Sequence, residues 1–117
     1  MTGPPTKRDR NARIRRRVSV SFGTSLPLRD TGFSTNVSAR GIGISSNVAY
    51  PPRTPLMFEL KLPGGLVARV KGEVAWSQRG SRTLNLQSLM GIKVLEADDF
   101  FRAYVDTAWR DPSATVV

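Results

Sequence analysis

The stretch LMFELKLPGGLVARVKGEVAW, residues 56–76, carries the clearest strand pattern of the chain. Apolar side chains recur at every second position on both sides of a Pro-Gly-Gly turn, and most of the charged side chains lie between them. A period of two sends alternate side chains to opposite faces of a strand. The inward set comprises Leu56, Phe58, Leu60, Leu62, Ala68, Val70, Gly72, Val74 and Trp76. The pattern therefore predicts a hairpin with one buried face, and it places Trp76 in the core.

Shorter stretches with the same alternation flank this hairpin. Their expected inward residues are Val18, Val20, Phe22, Ile42, Ile44, Met90, Ile92 and Val94. Glycine, proline, asparagine and serine separate the stretches, which is typical of successive antiparallel strands joined by turns. The sequence predicts an all-β fold, a small antiparallel β-barrel of six to seven strands.

The last part of the chain changes to the period of a helix. An amphipathic α-helix is predicted from about residue 98 to residue 109, with Asp98 as its N-cap. Its apolar stripe is expected to consist of Phe100, Phe101, Tyr104, Val105 and Ala108. In domain terms, residues 1–12 are expected to form a disordered basic arm, residues 13–110 the barrel with its C-terminal helix, and residues 111–117 a flexible tail.

The positive charge is concentrated at the N-terminus. The chain carries 18 basic and 9 acidic residues, a net charge of +9. Residues 1–17 hold seven bases and one acid, which gives 7 − 1 = +6. Fourteen of the 18 bases are arginine, whose planar fork suits phosphates and guanine edges. The arm predicts a phosphate-bearing partner; nucleic acid ranks first on composition alone, and a membrane surface or a solvated tail are the alternatives.

Two residue types are missing from the sequence. It contains no cysteine and no histidine, so thiolate nucleophiles, the commonest general base and the usual zinc ligands are excluded. We expect a protein that is not an enzyme and needs no cofactor. No apolar run is long enough for a membrane span or a signal peptide, which predicts a cytoplasmic location.

Two short motifs occur in a fixed order around the first predicted strands. Arg13 to Arg17 has the spacing RxxxR, and Asn36 to Gly41 has the pattern [DN]xSxxG. Together with the strand Gly72–Trp76 and the closing strand Met90–Val94, they resemble the PilZ domain, a bacterial cyclic di-GMP receptor with a split-barrel-like fold. The stretch from Asn36 to Pro63 most resembles the PilZ subgroup of gliding and social bacteria.

The resemblance implies a binding site for cyclic di-GMP. Its ligand-binding residues would be Arg13, Arg17, Asn36, Ser38 and Gly41. Three more arginines would be auxiliary: Arg16, Arg40 and Arg10. The resemblance further implies that the arm becomes ordered around the ligand and signals to a separate partner protein in motility, secretion or transcription.

Other interpretations of the same residues remain open. Asn36 and Ser38 are also common turn residues, and Gly41 also suits a β-bulge. Asparagine at position 36 offers one acceptor oxygen where the family's common aspartate offers two. The alternative functions are a basic small barrel that binds nucleic acid and a PilZ adaptor that binds no ligand.

Overall fold

A computed structural model describes residues 12–117 of the protein. The disordered arm expected for residues 1–12 and the auxiliary role expected for Arg10 therefore lie, except for Ala12, outside the described residues. The elements are β1 Ile14–Arg15, β2 Ser19–Gly23, β3 Asp30–Val37, β4 Gly41–Ser46, β5 Pro55–Lys61, β6 Val67–Gln78, β7 Ser88–Ala97 and α1 Asp99–Arg110. A short 3₁₀ turn, Pro63–Gly65, joins β5 to β6. Within residues 12–117, no helix is both long and apolar enough to cross a bilayer.

Six of the strands close into a barrel. Hydrogen-bonded neighbours follow the order β3, β2, β5, β6, β7 and β4, and β4 pairs back onto β3. Every pairing is antiparallel, and the short β1 adds to β3 outside the closed ring. The expected all-β barrel with a C-terminal helix is confirmed.

The core consists of the alternating apolar residues that the sequence indicated. In the central hairpin Phe58 lies opposite Val70 and Leu60 lies opposite Ala68, and all four are almost completely buried. Val20 and Phe22 of β2 point into the same core. The period of two thus predicted correctly which face of these strands is buried, because one face of each strand must leave water.

The C-terminal helix packs on the barrel through Phe101, Val105 and Ala108, which are buried. Asp98 is its N-cap: the carboxylate accepts a hydrogen bond from the Phe101 backbone N–H at 2.9 Å and a second from the Arg69 N–H at 2.9 Å. The prediction that Phe100 shares the buried stripe is wrong, since its side chain is 51% exposed. Successive helical residues differ by about 100°, so Phe100 and Phe101 cannot both face a narrow contact.

Trp76 is the main correction to the sequence-based core. Its side chain is 48% exposed rather than buried. The pairing of β6 with β7 shifts register between Val74 and Trp76, and this irregularity inserts one residue into the alternation. Val74 faces inward, whereas Trp76 faces outward and its indole lies over Gly91, where any Cβ would collide with the ring.

Residues 115–117, the end of the expected C-terminal tail, lie along β1. The Arg15 N–H donates to the Thr115 carbonyl at 2.8 Å, and the Val117 N–H donates to the Arg13 carbonyl at 2.8 Å. Val116 forms an antiparallel bridge with Ile14. Because β1 is paired with β3 on one side only, its other edge carries free backbone groups that the tail satisfies.

Candidate functional site

A β-bulge in β3 shapes one side of the site. Ser34 pairs with Ile44 and Asn36 pairs with Gly43, so Thr35 is an extra residue between them. Buried Ser34 faces the interior, and the bulge turns both Thr35 and Asn36 outward, above Gly43. A Cβ on Gly43 would lie 2.7 Å from the Asn36 Nδ2 and closer still to the Thr35 hydroxyl, so glycine is required beneath this pair.

Arg13 meets Asn36 at this bulge. Its Nη1 donates to the Asn36 Oδ1 at 3.0 Å, and the Asn36 Nδ2 donates to the Thr35 Oγ1 at 3.2 Å. The two contacts orient the amide, with its oxygen toward the guanidinium. The guanidinium itself lies against bare Gly41, where a Cβ would be 2.8 Å from the Arg13 Cζ. The structure therefore brings together Arg13, Asn36 and Gly41, one from the first motif and two from the second.

Partial burial lowers the pKa of the Arg13 guanidinium, because the charged form loses solvation. An arginine side chain is effectively always protonated in proteins, so Arg13 stays a cation near neutral pH. Burial thus leaves a charged donor in a less polar environment, where its hydrogen bonds to an anion or a guanine edge are stronger than in water.

Ser38 has a different position from the one expected. The resemblance implied a ligand-binding side chain, but the Ser38 side chain is only 2% exposed. Its hydroxyl accepts the Gly41 N–H at 3.0 Å and the Arg40 N–H at 3.3 Å. In this structure Ser38 holds the turn that places Gly41 beneath Arg13, which is the turn-residue role left open by the sequence.

Arg17 lies in a second cluster beside the first. Its guanidinium carbon is 4.1 Å from the centroid of the Phe33 ring, a cation–π contact on the outer surface. Both residues line an open cleft of about 850 Å³, together with Arg15, Lys61 and Thr35. Thr35 also accepts the hydrogen bond from Asn36, so it joins the Arg13 cluster to the cleft.

The auxiliary arginines differ in their surroundings. Arg16 forms a salt bridge with Asp111, Nη2 to Oδ2 at 2.9 Å, and its Nη1 donates to the Arg15 carbonyl at 2.9 Å. Its charge is therefore occupied by the C-terminal segment. Arg40 is exposed next to Gly41, and only its backbone is tied down, with its carbonyl accepting the Val94 N–H at 3.0 Å.

Sequence reasoning missed three features of this surface. Arg15, which the sequence analysis did not assign to the site, pairs with Asn36 in register and faces the cleft. The Phe33 ring is exposed on the outer surface, and the Arg17 guanidinium therefore packs over it. Trp76 lies in one line with Asn36 across the barrel, since Asn36 pairs with Gly43, Gly43 with Gly91 and Gly91 with Trp76. At about 4.8 Å per strand, the line is about 14 Å long.

Comparison with known proteins gives information on the fold. No family model matches the sequence, and no curated protein matches it. Among solved structures, the chain is similar to that of the Bacillus subtilis inhibitor of motility (MotI/DgrA), with a TM-score of 0.70 and 16% sequence identity over 88% of this chain and 50% of that chain. The two chains share a fold. This similarity supports the β-barrel fold expected from the sequence, and the present chain spans half the length of the motility inhibitor.

Proposed function

We propose that this protein is a non-enzymatic cytoplasmic receptor that binds cyclic di-GMP on the outer face of its barrel and transmits the signal to a partner protein. The observation that carries the proposal is the convergence of the two motifs. Arg13 donates to Asn36 above Gly41, and Arg17 stands at the neighbouring cleft. Arg13 and Asn36, which are 23 positions apart in the sequence, thus meet on one polar surface.

The chemistry of this surface matches the ligand. Cyclic di-GMP presents two phosphates, two guanine edges and flat base faces. Arg13 and Arg17 supply planar donors that suit phosphate oxygens or guanine O6 and N7. Asn36 supplies an amide for a further base edge. Gly41 has no Cβ and so leaves room for the Arg13 guanidinium at the centre of the group.

Stacking provides a second reason. One face of the Arg17 guanidinium rests on Phe33, which holds the guanidinium flat. Its other face is available to a guanine base, and arginine makes cation–π contacts of this kind with bases at nucleic-acid sites. The exposed indole of Trp76 offers another flat surface at the far end of the same line.

Signal output would use the arm. Residues 13–15 already lie against β3 and the C-terminal segment, so the expected ordering concerns residues that precede Arg13. A ligand that engages Arg17 and Arg13 would draw this basic segment over the barrel and present a new surface to the partner. The similar solved structure is that of an inhibitor of motility, which favours a partner in bacterial motility.

Isothermal titration calorimetry with cyclic di-GMP tests the proposal, with GTP as the control ligand. Wild type is compared with Arg17→Ala, Asn36→Ala and Ser38→Ala. Arg102→Ala is the matched control, because it removes one arginine charge from the exposed face of α1. We expect saturable binding that the first three variants weaken at least tenfold and that Arg102→Ala retains.

Absence of heat with folded wild-type protein would refute the proposal. Equal binding by Arg17→Ala and wild type would place the ligand elsewhere. Titration with duplex DNA over a salt series separates the nucleic-acid alternative: affinity for a polyelectrolyte falls steeply with salt, whereas binding of a compact dinucleotide depends on salt only weakly.

A further inference from the structure

The connection between β6 and β7 carries exposed leucines at its tip. Leu84 is 69% exposed and Leu86 is 59% exposed. All six residues from Arg82 to Gln87 are exposed, so this connection, residues 79–87, projects from the barrel. We call it the β6–β7 tip.

The exposure of the leucines is imposed by a well-defined turn. Ser81 and Leu86 exchange two backbone hydrogen bonds of 2.9 and 2.8 Å, and the Ser81 hydroxyl accepts the Leu84 N–H at 3.2 Å. Asn85 takes a left-handed conformation with φ of 54°. Gly80 allows this close approach, since a Cβ there would collide with the Leu86 carbonyl oxygen. The fold therefore holds two large apolar side chains in water, at a cost that an apolar partner would remove.

The charges around the tip are of one sign. Residues 74–95 contain three basic residues, Arg79, Arg82 and Lys93, and no acidic residue. Arg79 is exposed before the turn, and Arg82 is exposed within it. An occupant of complementary chemistry is anionic at its surface and apolar just beneath it.

We infer that the β6–β7 tip is a membrane-docking element for an anionic lipid bilayer. A protein groove would have to match a projecting turn in shape, whereas the interface of a bilayer accepts a convex tip of any outline. Leu84 and Leu86 enter the acyl boundary while Arg79 and Arg82 remain at the headgroups, where long basic side chains are favourable. The inference is independent of cyclic di-GMP binding.

Cosedimentation of the purified full-length chain with vesicles tests this assignment. Vesicles of phosphatidylcholine with one third phosphatidylglycerol are compared with pure phosphatidylcholine. We expect partitioning to the anionic vesicles only, and the double variant Leu84→Ser/Leu86→Ser lowers the partition coefficient about tenfold. Arg79→Gln and Arg82→Gln each lower it roughly fivefold.

Binding through the β6–β7 tip must be distinguished from binding through any exposed leucine and from attraction of the basic N-terminal arm alone. Leu26→Ser removes a leucine that is 72% exposed at another place and should bind vesicles like wild type. Thermal unfolding verifies that each variant is folded. If the double leucine variant binds as well as wild type, the arm alone attracts the vesicles and the inference is wrong. It is equally wrong if the wild type ignores anionic vesicles, even where it binds an acidic protein or RNA instead.

Discussion

Alanine at position 41 would put a methyl group where the Arg13 guanidinium now lies. The Cβ would be 2.8 Å from the Arg13 Cζ, about 1 Å inside ordinary carbon–carbon contact. Gly41 does not have a positive φ, so alanine adds no backbone strain. The nearest backbone atom, the Ile92 carbonyl oxygen, is 3.3 Å away and needs to shift only slightly. The Arg13 guanidinium is the end of a flexible side chain, so it will swing away from the new methyl group and lose its hydrogen bond to Asn36.

The expected loss divides unequally between folding and binding. One part-buried hydrogen bond from a charged donor is worth about 1–2 kcal/mol, and the displaced guanidinium regains solvation, so the free energy of unfolding should fall by less than about 1.5 kcal/mol. An arginine that pairs with a guanine edge is worth about 1–3 kcal/mol to the complex. Gly41→Ala should accordingly weaken cyclic di-GMP binding roughly ten- to hundredfold.

Gly72→Ala is the matched control for this prediction. Its Cβ would lie 2.5 Å from the Lys93 carbonyl oxygen and 2.8 Å from the Ile92 Cγ2, in the barrel interior where backbone must move. Overpacking of this kind costs about 1–3 kcal/mol. Urea unfolding should show the larger loss for Gly72→Ala, and calorimetry the larger loss for Gly41→Ala. If Gly41→Ala binds the ligand as tightly as wild type, the position of Arg13 over Gly41 does not matter for recognition.

Three further predictions concern single side chains. Thr35→Val keeps the shape of Thr35 but removes the acceptor of the Asn36 amide, so calorimetry should show about fivefold weaker cyclic di-GMP binding that Thr35→Ser restores. Asp98→Ala removes the N-cap of α1 and should lower the free energy of unfolding in urea by about 1–2 kcal/mol. The neighbouring Asp99 is fully exposed, so Asp99→Ala should cause almost no loss of stability. Equal losses in the two variants would contradict the assignment of Asp98 as the cap. Hydrogen bonds from Ser113 lower the pKa of Asp111, so the stability that ionised Asp111 gives the C-terminal segment is complete above about pH 4 and is lost as the pH falls through its lowered value. The backbone amide signal of residue 117 in NMR spectra should follow this transition, and an Asp111→Asn variant that shows the same transition would exclude the carboxyl as its cause.

The strands of the central hairpin could be predicted from the sequence because buried apolar residues alternate there with more exposed ones. The inward direction of Leu56, Phe58 and Leu60 could be predicted without knowledge of the partner strand. Trp76 could not be placed in this way, because its direction depends on a register shift in the pairing of β6 with β7. Such a shift is decided by contacts between strands, here the indole over Gly91, and leaves no periodic trace in either strand.

The candidate site was predictable in its members but not in its geometry. The motifs named Arg13, Asn36 and Gly41, which the structure brings together. They gave no sign that the Ser38 hydroxyl is consumed by the turn, because a local hydrogen bond and a ligand contact require the same residue type. The antiparallel bridge between Val116 and Ile14 could not be predicted from the sequence either. Pairing between residues about 100 positions apart depends on where α1 ends relative to β1.

The bulge at Thr35 has a consequence for how the chain tolerates changes of length. In a regular strand, deletion of one residue exchanges the inner and outer faces of everything that follows. At this bulge, deletion of one residue leaves the inner and outer faces unchanged: without Thr35, Ser34 would still face inward, Asn36 outward and Val37 inward. The barrel can therefore gain or lose a residue here while its interior stays the same. The bulge in β3 thus marks a position where the length of the outer surface can change while Ser34 and Val37 keep their inward direction.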